Sequence, residues 1–235
     1  MNSQDNFYTK SLYPFQDGVL DIVKKSRLPF YLTGGTALSR GYFNHRYSDD
    51  LDFFINDSPE YSSLVSRFID ELGKAEISKF LAIEKKTLRR GHQFTQIFVN
   101  SINGNIQLKI DLVNDIPLHF GDVVMRRQLG RIDSWRNILS NKLAALYRYE
   151  PKDIADIWII ARNKRFSWKT TLNEAKEKDA GLETLAIVEI LKTFPNEKMN
   201  VIKWVARPDE RLFLSDLSKI GDDIFKGGGN SLAEI

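Results

Sequence analysis

The pattern of apolar positions changes character about halfway along the chain. From Tyr13 to Ser26, Phe15, Val19, Leu20, Ile22 and Val23 recur at helical spacing, and Pro14 fits a first turn. Pro29 ends that helix. Phe30-Tyr31-Leu32, bounded by Pro29 and by Gly34-Gly35, predicts a short buried strand, and Thr36 to Tyr42 a short helix. Over Asp50 to Ile55 the period falls to two, with Leu51, Phe53 and Ile55 on one side and Asp50, Asp52 and Phe54 on the other. Ser58-Pro59-Glu60 then reads as an N-cap with proline at the first helical position. Leu64, Val65, Phe68, Ile69 and Leu72 make the stripe of a crossover helix that stops at Gly73.

Strand-like runs follow at Phe80 to Glu84, Phe94 to Val99 and Ile106 to Val113. Asn103-Gly104 between the last two is a strong hairpin signal. In the last run Ile106, Leu108, Ile110 and Leu112 face one way, and Gln107, Lys109 and Asp111 the other. Past Pro117 helical periodicity takes over. Trp135, Leu139, Leu143 and Leu146 trace one stripe, Ile154, Ile157, Trp158 and Ala161 another, and Leu182–Leu191 and Arg211–Ile224 are further amphipathic segments. Gly227-Gly228-Gly229-Asn230 predicts a frayed end. The pattern as a whole predicts an α+β domain over residues 1–117 and a mainly helical bundle over residues 118–235.

Composition adds exclusions. The 235 residues suit one large domain or two small ones, and 42% hydrophobic content is ample for a core. The absence of cysteine excludes disulfides and thiolate metal sites, and His45, His92 and His119 are too scattered to suggest a zinc cluster. The first ten residues are polar and no run approaches a membrane span, so the expectation is a cytoplasmic protein with no membrane partner. A net charge of +3 permits a nucleic-acid partner without requiring one.

The candidate chemistry lies between Gly34 and Phe54. Two residues apart on a strand, Asp50 and Asp52 share a face with Cα atoms roughly 6.5 Å apart, suited to one Mg²⁺ or equally to two solvated aspartates. Gly34-Gly35 before a helix start is a phosphate cradle or simply a tight turn. Asp111, on the open side of a neighbouring strand, is a third carboxylate as metal ligand or base toward an attacking hydroxyl, or else a solvated strand residue. Lys142 sits at the border of its helix's apolar stripe, where a lysine either snorkels or reaches into a cleft.

Gly34-Gly35-Thr36-Ala37-Leu38, followed by Arg46-Tyr47-Ser48-Asp49-Asp50-Leu51-Asp52, resembles the nucleotidyltransferase fold of the DNA polymerase β type. Within it the chain is most similar to the AbiEii/AbiGii toxin family. The resemblance continues through Lys142-Leu143-Ala144-Ala145-Leu146, Arg148 and Lys152-Asp153-Ile154-Ala155-Asp156, where Lys152 stands in place of the usual arginine. It implies a mixed sheet flanked by helices, followed by the helical half. It also implies Asp50, Asp52 and Asp111 as catalytic metal ligands, while Asp49, out of phase with them along the strand, reads as a spectator. Gly34, Gly35, Thr36, Arg46, Ser48, Lys142 and Asp156 would be nucleotide-binding residues, with the nucleotide between the two halves. The implied cofactor is Mg²⁺, with Mn²⁺ as the alternative, and the substrate an NTP. The acceptor would be an RNA 3′ end, tRNA above all, and the partner a separate antitoxin.

Arg126, Arg127, Arg131, Arg136, Lys164, Arg165 and Lys169 would line an RNA groove or else form a solvated face. The rival functions are nucleotidylation of a protein or small molecule, and nucleotide or RNA binding without turnover.

Overall fold

The computed structural model describes residues 3–233, so Met1, Asn2, Glu234 and Ile235 of the expected domains lie outside it. The chain forms two compact units. One is Met1–Gly41 with Tyr47–Asp133; the other is Tyr42–Arg46 with Ser134–Ile235.

The first unit opens with α1 (Ser3–Phe7), a π-helical turn, and α2 (Tyr13–Ser26), whose proline occupies the first turn as expected. It continues through β1 (Tyr31–Thr33), α3 (Gly34–Leu38), β2 (Leu51–Asn56), α4 (Tyr61–Ile77), β3 (Leu81–Ile83), β4 (Arg89–Arg90), β5 (Phe94–Ser101), β6 (Gln107–Asp115), β7 (Val124–Arg126) and β8 (Gly130–Ile132). The strands form one mixed sheet in the order β3-β5-β6-β2-β1-β8-β7, with β4 on β5. β2 runs antiparallel to β1 and parallel to β6. The parallel pair requires a long crossover, which α4 and the strands after it provide. Leu51, Phe53, Leu108, Ile110 and Leu112 are buried, so the predicted inward face is the observed one. Asn103-Gly104 does turn a hairpin, with Gly104 at φ +70°, a conformation open to glycine.

Several details depart from expectation. α4 runs past Gly73 to Ile77, because the added turns still bury Ala75. Asp50 lies just before β2 rather than in it. β7 and β8 were not foreseen, since three-residue strands around Arg126-Arg127-Gln128 are too short to show a period.

The second unit contains α5 (Trp135–Ala144), α6 (Pro151–Asn163), α7 (Trp168–Lys178), α8 (Thr184–Lys192) and α9 (Glu210–Lys226). Its core includes Leu139, Leu143, Ile154, Ile157, Trp168, Phe213, Leu217 and Ile220. The expected fraying at Gly227–Asn230 is not found. Asn230 Nδ2 donates to the carbonyls of Ala161 (2.6 Å) and Lys164 (2.7 Å), and its backbone N–H to that of Phe166. Among the described residues no helix is long and apolar enough to cross a membrane.

Candidate active site

In the first unit β1 ends where the chain must turn into α3 beside β2. Gly34 takes φ +65°, and a Cβ there would lie 2.7 Å from Asp52 Oδ2. Both the backbone and the neighbouring carboxylate therefore call for glycine. Gly35 and Thr36 follow, buried in the first turn of a helix that no side chain caps at Thr33. Thr36 Oγ1 lies 2.8 Å from Ser48 Oγ and donates to the carbonyl of Asp50 at 2.5 Å. The buried hydroxyls of Thr36 and Ser48 thus fix the backbone that carries Asp50.

Strand register and Lys109 bring the three predicted aspartates to one part of the sheet. Asp52 is the register partner of Thr33 on β1 and of Asp111 on β6, which places the Asp52 and Asp111 Cα atoms about 4.8 Å apart. Asp50 joins them through Lys109, whose Nζ lies 3.2 Å from Asp50 Oδ2 and 2.9 Å from Asp111 Oδ2. Gln96 Nε2 donates to Asp111 Oδ1 at 3.0 Å. Burial works against the Lys109 charge, but the hydrogen bond to Asp111 and the charges of Asp50, Asp111 and Asp52 outweigh it. The lysine pKa is raised as a result. The side chains stay within reach of solvent, 35% exposed for Asp50 and 13% for Asp111.

The oxygen donors suit a hard divalent cation such as Mg²⁺. Even so, no three His, Cys, Asp or Glu side chains among the described residues are grouped to hold a metal ion. The cation that gathers Asp50 and Asp111 is the Lys109 ammonium.

Lys109 and Gln96 are missing from the sequence-derived set, although the signals were present. Lys109 shares a strand face with Asp111. Counting back equally along both strands from the Asn103-Gly104 turn sets Gln96 opposite Asp111. Asp49, expected to stand apart, supports the fold: its carboxylate accepts from Tyr8 Oη at 2.5 Å and its carbonyl from Gln16 Nε2 at 3.0 Å.

The second unit holds the other predicted residues in a buried ion network. Asp156 is fully buried. Arg46 donates to both its oxygens, Nε at 2.7 Å and Nη2 at 2.8 Å, while His45 Nε2 lies 2.8 Å and Lys142 Nζ 2.9 Å away. Lys142 also pairs with Asp153, which accepts from Arg148 Nη2 at 3.2 Å. Burial alone would raise the Asp156 pKa, but Arg46, Lys142 and the hydrogen bond from His45 hold it well below the usual carboxylate value. Lys142 is raised because Asp156 and Asp153 outweigh its own burial. His45 is lowered chiefly by burial, against the pull of Asp156, and its buried Nδ1 has no hydrogen-bond partner among the described residues. His45 and Asp153 were not assigned to this set from sequence; a histidine beside Arg46 was the available cue.

The basic residues divide between the units. Arg126, Arg127 and Arg131 lie on or beside the β7–β8 turn of the first. Arg136, Lys164, Arg165 and Lys169 belong to the second, where Arg136 pairs with Glu174.

A family model described as nucleotidyl transferase AbiEii toxin, type IV toxin–antitoxin system, matches residues 22–223. The chain is 28% identical over 182 residues to the uncharacterised protein aq_aa25 of Aquifex aeolicus strain VF5, covering 73% of this chain and 77% of that one. Among solved structures it is similar to JHP933 from Helicobacter pylori, with 18% identity, a TM-score of 0.57 and coverage of 92% and 91% of the two chains. It is also similar to an H. pylori protein provisionally described as a nucleotidyltransferase, with 16% identity, a TM-score of 0.59 and 96% of each chain covered. At such identities the two structures speak for the fold, the α+β, polymerase β-like arrangement that the sequence predicted.

Proposed function

The chain belongs to the AbiEii nucleotidyl transferase toxin family of type IV toxin–antitoxin systems, and from that premise we propose that it transfers a nucleoside monophosphate from an NTP to the 3′ hydroxyl of an RNA, tRNA in the first instance, with release of pyrophosphate. The family implies an NTP as substrate and an antitoxin as partner. The observation that carries the reading is the gathering of Asp50, Asp52 and Asp111 by strand register and Lys109 beside the Gly34 turn.

Asp50, Asp52 and Asp111 would hold Mg²⁺, which supplies charge neutralisation on the triphosphate when bound. Asp111, held in orientation by Gln96 and Lys109, accepts the proton of the acceptor hydroxyl. As it does so, the acceptor oxygen bonds to the α-phosphorus and the bond from that phosphorus to the pyrophosphate oxygen breaks. Gly34 keeps the turn free of any side chain that would crowd Asp52. In the second unit Asp156 touches no ligand; it keeps Arg46 and Lys142 charged and oriented.

Incubation with each of the four labelled NTPs, Mg²⁺ and total RNA tests this reading. Label at RNA 3′ ends, absent with Asp50→Ala, is the expected result. Failure of all four nucleotides to label RNA overturns it, and label on protein or a small molecule instead assigns the acceptor to that class.

A further inference from the structure

The basic residues of the β7–β8 turn were not absorbed by the catalytic reading, yet they are built into a specific place. A cavity of about 520 Å³ in the first unit is lined by Arg40, Gly41, Arg126, Arg127, Gln128 and Leu129. Its floor is rigid. Arg40 lies in the π-helical turn after α3, its guanidinium 4.5 Å over the Tyr13 ring, donating to Gln16 at 3.0 Å and paired with Asp17. Gly41 packs so closely that a Cβ would come within 2.7 Å of Ile132 Cδ1 and 3.5 Å of Leu129 Cδ1.

The wall is anchored too. Lys24 Nζ donates to the carbonyls of Arg127 (3.2 Å) and Gln128 (2.9 Å), and its stem lies against Gly130, which takes φ +77°. With the turn carbonyls tied back to α2, Arg126 and Arg127 are exposed on a fixed scaffold. Arg127 makes no side-chain ion pair or hydrogen bond among the described residues. Asp17 and Asp21, the acids on the adjoining face of α2, are already paired with Arg40 and Lys24.

Guanidinium groups around an open groove match phosphodiester oxygens, which they bind in a planar, two-point manner. Arg40 and Gly41 lie on the π-helical turn Ser39–Phe43, which continues α3 from the Gly34 turn. Arg40 is six positions on from Gly34, about 9 Å at 1.5 Å per residue. That is the reach of two to three stacked nucleotides at about 3.4 Å each.

Resting on the reading that the acceptor is an RNA 3′ end, we infer that this groove holds the backbone of the acceptor strand a few nucleotides inward of that end, with Arg126 and Arg127 on its phosphates. Recognition there is independent of base sequence.

The test compares the full-length protein with Arg126→Gln/Arg127→Gln and with Arg126→Lys/Arg127→Lys. It uses fluorescence anisotropy of a labelled single-stranded RNA across a salt series, alongside NTP·Mg²⁺ binding by calorimetry. The glutamine pair should weaken RNA binding by roughly tenfold and flatten the plot of log affinity against log salt by about 1.4, two phosphate contacts at about 0.7 each. The lysine pair should restore the slope, and NTP binding should stay unchanged. An RNA affinity and slope unaffected by the glutamine pair overturn the inference. Equal loss of RNA and of NTP or inorganic tripolyphosphate binding also overturns it, since the groove would then be a nucleotide-phosphate site. Labelling distinguishes this inference from the transfer reading. RNA labelled by both proteins with the same KM for RNA removes the groove and leaves transfer standing. Binding lost in the glutamine pair while wild type labels no RNA supports the groove and removes the transfer reading.

Discussion

Each unit contains aspartates gathered around a lysine, and the two clusters could hardly be used more differently. In the first, Lys109 bridges Asp50 and Asp111, and the groups remain partly open to water. In the second, Lys142 bridges Asp153 and Asp156, which are 2% and 0% exposed, and Asp156 is further saturated by Arg46 and His45. A charge in water can exchange one cation for another at small cost. A buried charge cannot, because any interval without a partner leaves it desolvated and uncompensated. Exposure rather than residue type therefore divides a carboxylate set that can bind and release ligands from one that fixes architecture.

The contrast can be broken at several points. The largest expected effect is on turnover: Asp52→Asn should lower nucleotidyl transfer by roughly 10⁴-fold, about 5.4 kcal/mol in barrier, with the urea midpoint nearly unchanged. A large loss of stability would mean that this cluster is structural as well. Next, Asp156→Ala should destabilise the fold by about 3–5 kcal/mol by leaving Arg46 and Lys142 buried without their partner, read from urea unfolding followed by tryptophan fluorescence. Wild-type stability with lost transfer would reverse the assignment.

The third effect depends on pH. Because the folded state lowers the His45 pKa from its ordinary 6.5, the unfolded chain takes up a proton below that pH that the folded chain does not. Stability should therefore fall as pH drops below about 6.5, by at most about 1.4 kcal/mol per pH unit. Asp156, lowered in the folded state from an ordinary 3.8, contributes stability that is fully present above that value and lost as pH falls through its folded pKa. Melting temperatures from pH 7.5 to 5.5 should show the first phase, and His45→Gln should remove it. The smallest effect is that of Lys109→Met, about 1 kcal/mol or less in urea unfolding because its partners keep water as an alternative. A cost like that of Asp156→Ala would erase the distinction between the clusters.

Much of this was legible in the chain. Period-two alternation gave the buried face of β2 and β6, and the Asn103-Gly104 turn gave the hairpin of β5 with β6, so the open face of β6 that carries Asp111 followed from counting. The short strands flanking Arg126-Arg127-Gln128 were not legible, because three residues cannot establish a period and their pairing is decided by β1, distant in sequence. α7 was missed for a related reason: its buried face is narrow and much of Trp168–Lys178 is polar. The motif residues Arg46, Lys142 and Asp156 were expected as part of a wider nucleotide-binding set, and the structure joins these three in one ion network. Their burial was not foreseen, since a charge pattern reads the same whether its surroundings are water or protein. The Asn230 side chain pinning a glycine-rich end was invisible for the same reason.

The five residues Tyr42–Arg46 have a further consequence. They sit in the middle of the first unit's sequence but belong to the second unit, and they bring it Arg46 and His45. No single break in the gene can separate the two units intact. A fragment beginning at Ser134 would carry Asp156 without its arginine, and one ending at Asp133 would carry an arginine without its aspartate. Recombination between relatives with a break between Arg46 and Ser134 would therefore set the arginine of one parent against the aspartate of the other.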